Sequence, residues 1–332
     1  MLRSFEQLVD LFPKAAGLRR SVYGRNTRAG IDLLLADRPA DQRERILAGV
    51  VRHRLLNRSI FCAYSALPHL ARRFAQLVPI VGPHRASMRD TSVPLIIATG
   101  HFGPLFFAIA ALERMLRGRR VIVILREGAL YLRKALPLLD SLGFDYVVDS
   151  HDCVRYLVRT LREDTRTVVL FAFDNPFRGR RNVPFLSSTI ATSTVIARLA
   201  DLGGAKIVTS FWLWQNALPR IVFDHAIDVE RSLEPVERRK RIVDALYRVL
   251  EYQVFTSPEQ WSGWDYVTAN VIVDPKALIL GPPAKPVGPR SSWLERYWRA
   301  WRCGWIRKAG CKRANQTLQS LAQDGRRLEG RR

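Results

Sequence analysis

The stretch VPLIIATGHFGPLFFAIAAL, residues 93–112, constrains this chain more than any other, because it carries no formal charge. A run of that length and polarity is long enough to cross a bilayer as one helix. Its first half, however, contains Pro94, Gly100, His101, Gly103 and Pro104. Proline removes a helical hydrogen bond and glycine favours turns. The run therefore reads as a buried strand over Leu95–Thr99, a tight turn, and a buried helix starting at Leu105. A strand that is apolar on both faces belongs in a sheet covered by helices on both sides.

The remainder of the chain repeats that pattern. Short apolar runs predict strands over Leu95–Thr99, Val121–Leu125, Phe144–Val148, Val168–Phe173, Lys206–Trp212 and Arg220–Phe223. Amphipathic stretches between and after them predict helices over Leu105–Leu116, Tyr131–Leu142, Asp152–Glu163, Thr192–Leu202 and Pro235–Phe255. Alternation of this kind gives an α/β fold with a mostly parallel central sheet covered by helices. Residues 1–90 read as a helical N-terminal region, with apolar positions at helical spacing through Ile46, Val50, Leu55, Ile60 and Tyr64. Residues 91–280 form the α/β domain, and 281–332 a Pro-rich linker and tail. No internal repeat is visible.

Composition narrows the class. With 332 residues, 48% of them hydrophobic, the chain can bury a large core, which rules out wholesale disorder. Lys plus Arg is 53 against 30 Asp plus Glu, a net +23. The excess is mostly arginine, 45 residues against 8 lysines. Arginine-rich coding alone can produce that bias, but the net charge still calls for an anionic partner: nucleic acid, an acidic protein or an anionic membrane surface. No nucleic-acid-binding motif accompanies it, so nucleic acid is not expected as a partner. The four cysteines, Cys62, Cys153, Cys303 and Cys311, have neither disulfide-framework nor zinc spacing. The first twenty residues contain no apolar run suited to a signal peptide or anchor, so a cytoplasmic setting is expected.

The tail suggests how the chain reaches a membrane. On a helical wheel, Trp293, Leu294, Tyr297, Trp298, Trp301 and Trp305 fall within an arc of about 140°, with arginines opposite. Residues 289–332 hold 12 Lys/Arg and 3 Asp/Glu. Tryptophan on one face and arginine on the other suits a helix lying in an anionic membrane interface, although the same face could also pack on the protein's own core.

No nucleotide-loop, hydrolase-elbow or metalloprotease pattern occurs, so neither a metal nor a cofactor is expected. What stands out is His101, at the end of the first buried strand between Gly100 and Gly103. Ligands of α/β sheets collect at the C-terminal ends of strands, and flanking glycines leave room for a substrate to come close. A second strand, Val168–Phe173, ends at Asp174 and leads into a basic turn with Arg178, Arg180 and Arg181, then Val-Pro-Phe and a Thr-rich helix entry. Thr192 or Ser193 would cap that helix. Its N-terminus and the arginines could then hold an anionic headgroup or a phosphopantetheine phosphate, although the same segment could instead be a solvated surface hairpin.

Taken together, the stretches IIATGHFGPLFFA, VILREGALYLRKALPLLDSLGFDYV, VVLFAFDNPFRGRRNVPFLSSTIATSTVIARLA and PEQWSGW resemble the bacterial lipid A biosynthesis acyltransferases, a branch of the lysophospholipid acyltransferase group. The likeness runs over most of residues 1–270. It implies a glycerolipid-acyltransferase-like fold and transfer of a fatty acyl chain from an acyl thioester, on acyl carrier protein or coenzyme A, to a hydroxyl of a glycolipid. It also implies a peripheral location on the cytoplasmic face of the inner membrane, with His101 as general base. Arg126, which matches a family arginine, would stabilise the thioester oxyanion or bind a phosphate.

One position departs from that family. Five residues after its histidine the family carries Asp or Glu, whereas this chain has Phe106. Phenylalanine can neither orient an imidazole nor stabilise its protonated form, and it would line the substrate site instead. Three cases follow: another acid substitutes, the reaction is slow or altered, or the chain is a non-catalytic relative that binds lipid or carrier protein. Asp174, Glu127 and Asp149 each follow a predicted strand, and Asp174 is the first choice.

Overall fold

A computed structural model describes residues 19–66, 68–103, 105–125, 132–148, 152–174, 181–215, 218–268 and 271. The Pro-rich linker and the aromatic, basic tail lie outside them. Three helices open the described part: α1 (Val22–Leu34), α2 (Ala40–Ala66) and α3 (Pro68–Leu77). The short strand β1 (Ile80–Val81) and a 3-10 turn (Pro83–Met88) follow. The core alternation then runs β2 (Leu95–Thr99), α4 (Leu105–Leu112), β3 (Arg120–Leu125), α5 (Leu132–Leu142), β4 (Asp145–Val148), α6 (Cys153–Glu163) and β5 (Thr167–Ala172). After it come the hairpin β6 (Arg181–Phe185) and β7 (Ser188–Thr192), then α7 (Val195–Gly203), β8 (Lys206–Gln215) and β9 (Leu218–Ile227). Helix α8 (Pro235–Thr256), a 3-10 turn (Pro258–Gln260) and the single turn α9 (Trp264–Val267) complete it.

Seven strands form the main sheet in the order β1-β9-β8-β2-β5-β3-β4. Strands β8, β2, β5, β3 and β4 are parallel, while β9 pairs antiparallel with β8 and parallel with β1. The mostly parallel sheet expected from the alternation is what the chain forms. Residues 93–103 hold the strand and turn and 105–112 the helix, and among the described residues no helix is long and apolar enough to cross a membrane.

The apolar runs are continuous because each strand face meets helices. Ile96, Ala98, Val169 and Phe171 pack with the core under α6, α7 and α8. Leu95, Ile97, Val168 and Leu170 join the opposite core, under α4 and α5. Every residue of β2 is buried. Removing the side chain of one such aliphatic residue costs roughly 2–5 kcal/mol.

Two readings are corrected. The Thr-rich run expected to enter a helix at Thr192 is instead a β-hairpin, with Arg181 opposite Thr192 and Phe185 opposite Ser188. Val183 and Phe185 on one strand and Ile190 and Thr192 on the other alternate inward, and all four are buried. β-Branched residues with period-two burial favour a strand over a helix start. The helix begins at Val195 with Thr194 as N-cap, so Thr192 does not cap it. Ser193 Oγ does accept the Val195 N–H, at 3.2 Å.

Candidate active site

The pairing of β2 with β5 builds the centre of the site. Thr99 stands opposite Ala172 in this parallel ladder, so two residues further along each chain stand His101 and Asp174. The Phe173 N–H donates to the Thr99 carbonyl at 3.0 Å, which carries the ladder past the last strand residues. A tight turn then bends the chain at His101, where the Phe102 N–H returns to the Gly100 carbonyl at 2.8 Å.

His101 and Asp174 meet through two contacts. Nδ1 lies 2.6 Å from Oδ1, and the His101 backbone N–H donates to Oδ2 at 2.7 Å. An ionised carboxylate only accepts, so Nδ1 carries the hydrogen in this pair and Nε2 is the basic nitrogen. The Asp174 side chain is completely buried, whereas that of His101 is 21% exposed. The acid is enclosed and the imidazole reaches the surface.

Electrostatics keep this acid charged. Burial pushes the Asp174 carboxyl up, but attraction to His101, the two His101 hydrogen bonds and one from Trp261 outweigh it. The net shift is downward from 3.8. The Trp261 indole N–H donates to Oδ2 at 2.8 Å and the Tyr266 hydroxyl to the same oxygen at 3.1 Å. Burial first, then the Asp174 and Asp265 carboxylates, hold the Tyr266 phenol well above 10, so it stays a donor. On the other flank Thr192 donates to the Tyr247 hydroxyl, which donates to the Phe173 carbonyl at 3.3 Å.

Of the residues singled out from sequence, His101 and Asp174 come together. Gly103 has φ +55°, and a side chain there would run into the Trp212 indole. At Gly100 a side chain would press on Phe102 and Leu250. The clearance of these glycines is thus taken up by the protein's own side chains rather than by open space for a substrate. Phe106 lies in the first turn of α4. Arg181 Nη2 holds both oxygens of Asp244, at 2.7 and 2.9 Å, tying β6 to α8. Thr192 faces Tyr247 instead of a helix terminus. Arg126, Glu127, Asp149, Arg178 and Arg180 fall outside the described residues. Trp261 and Tyr266 join the site without having been expected from the sequence. A usable signal existed for Trp261, since a buried indole N–H needs an acceptor.

The mostly parallel α/β sheet thus presents a partly exposed imidazole backed by a buried carboxylate at adjacent strand ends, where ligands of such sheets collect. The chain belongs to the bacterial lipid A biosynthesis acyltransferase family, which it matches over residues 5–264. A comparison with curated proteins returned no match. Membership makes this an acyltransferase-family chain whose partners are an acyl donor and a lipid acceptor.

Proposed function

We propose that this chain is an O-acyltransferase that moves a fatty acyl group from a thioester, on acyl carrier protein or coenzyme A, to a hydroxyl of a glycolipid acceptor. The observation that carries the reading is the Asp174–His101 pair. A carboxylate at 2.6 Å from Nδ1 serves the purpose of the acid that Phe106 replaces. That geometry favours a working enzyme over a binding relic.

In this reading His101 Nε2 takes the acceptor's hydroxyl proton as the oxygen attacks the thioester carbonyl. The C–O bond forms, giving a tetrahedral oxyanion beside an imidazolium that Asp174 stabilises. Collapse breaks the C–S bond, and the imidazolium returns its proton to the departing sulfur. Ester and free thiol result, and the step balances without a cofactor or metal. Arg126 supplies the positive charge for the oxyanion, and Arg178 and Arg180 bind the anionic part of donor or acceptor. The protein works peripherally on the cytoplasmic side of the inner membrane, held to anionic lipid through its Trp- and Arg-rich tail.

The test is acyl-thioester consumption with a glycolipid acceptor, wild type against His101→Ala. Loss of at least about 10³-fold in kcat with an unchanged circular dichroism spectrum is expected. Retention of most of the activity would remove His101 from the mechanism.

A further inference from the structure

One short segment far along the chain grips both halves of the pair. The Trp261 indole N–H and the Tyr266 hydroxyl end on Asp174 Oδ2. The Ser262 N–H and hydroxyl both donate to the His101 carbonyl, at 2.9 and 2.8 Å. Phe102 and Trp261 form an isolated antiparallel bridge. Trp261 packs edge-on against Phe185 and Trp264, at 5.6 and 4.9 Å between ring centroids, so its indole is locked in place.

The structure assigns to Trp261 and Tyr266 a positioning role: they fix which oxygen of Asp174 faces His101 and lower the carboxylate's hold on the imidazolium. The assignment rests on the reading of His101 as base. A carboxylate is free to turn about its Cβ–Cγ bond. Here Oδ2 is held by three donors, the His101 N–H, the indole and the phenol, which leaves Oδ1 directed at Nδ1. Each donor to Oδ2 also draws negative charge away from Nδ1. The pair is thereby kept from stabilising the imidazolium so strongly that the base stays protonated near neutral pH. Tyr266 fits this role because its one hydroxyl hydrogen goes to Oδ2, at 3.1 Å. Among the described residues, the titratable and charged groups facing the pair are Tyr266, Tyr247 from α8, and Asp265 with Arg54 of α2, 3.8 Å apart.

The decisive variant is Tyr266→Phe, which deletes one oxygen and keeps the ring. Expected are a roughly 5- to 20-fold drop in kcat with KM within about twofold, and an acid limb of the kcat/KM profile moved to higher pH by about half a unit. Loosened packing would lower activity without that upward move. Site-specific 3-fluorotyrosine at 266 keeps size and fold, makes a stronger donor, and is expected to move the limb to lower pH. Titration of the His101 imidazole by ¹⁵N nuclear magnetic resonance reads the same two displacements without turnover. It therefore decides the matter even if His101→Ala shows that another base is used. Displacement in opposite directions supports the assignment. No displacement, or the same direction in both variants, overturns it.

Discussion

Converting Asp174 to asparagine changes the site by one atom and almost no volume. Four donors converge on the native carboxylate: His101 Nδ1 at 2.6 Å, its backbone N–H at 2.7 Å, the Trp261 indole at 2.8 Å and the Tyr266 hydroxyl at 3.1 Å. Asparagine offers one acceptor oxygen and one amino group. If that oxygen serves the three donors on the Oδ2 side, the amino group faces Nδ1 and imposes the wrong tautomer. The hydrogen then sits on Nε2, the nitrogen required to be basic. Orienting carboxylates are worth about 10³–10⁴ in histidine-assisted acyl transfer, or about 4–5.5 kcal/mol at 1.36 kcal/mol per decade. Steady-state thioester turnover with acceptor present should show that loss in kcat, with KM little changed. A variant retaining a tenth of wild-type kcat would refute the role given to Asp174. The same substitution has a stability signature. Because the native carboxyl is held below 3.8, its contribution is fully present above that value and is lost as pH falls through the lowered one. Denaturation curves between about pH 5 and pH 2 should thus fall more steeply for wild type than for Asp174→Asn.

Three further outcomes are expected. Gly103→Ala combines a φ of +55° with a side chain driven into Trp212, so it should cost about 2–4 kcal/mol in urea denaturation. Phe106→Glu restores the family's acid, but Asp174 already occupies Nδ1. Transfer should stay flat or fall, and a silent wild type with an active glutamate variant would reverse the functional reading. Truncation after Gly288 removes 12 Lys/Arg and 3 Asp/Glu. At roughly 1 kcal/mol per basic residue near the surface, co-sedimentation with anionic vesicles should drop at least tenfold, and undiminished binding would assign the tail to packing.

Much of this arrangement was legible in residue order. The strand Leu95–Thr99 is legible to the residue, because proline and glycine bracket a run too apolar for anything but a doubly covered strand. Strand ends alone do not separate Asp174 from Glu127 and Asp149; Asp174 stands out because it lies in the stretch that best matches the family. That it meets His101 depends on β2 and β5 being neighbours in register, and two strands covered on both faces carry no alternation from which to read that register. The β6–β7 segment is ambiguous in sequence, helix entry or surface hairpin, because Ser and Thr cap helices as readily as they fill strands. Its inward alternation became decisive only once Val183 and Phe185 were seen at full burial. Tyr266 carries no local signal for its place at the pair, since Asp174 and His101 lie 92 and 165 residues away.

That the pair is an extension of the β2–β5 ladder also says when it can exist. Strand β2 is flanked by β8 and β5, so it sits inside the sheet. The Phe173 amide, bonded to Thr99 just before Asp174, should exchange with solvent deuterium only through opening of the whole domain. Parallel ladders close late, after their long crossovers are ordered. Polypeptide trapped before that closure, however helical, would hold the histidine and the acid as unrelated residues. Activity should return during refolding with the slowest structural phase, and no helix-rich intermediate should turn over thioester.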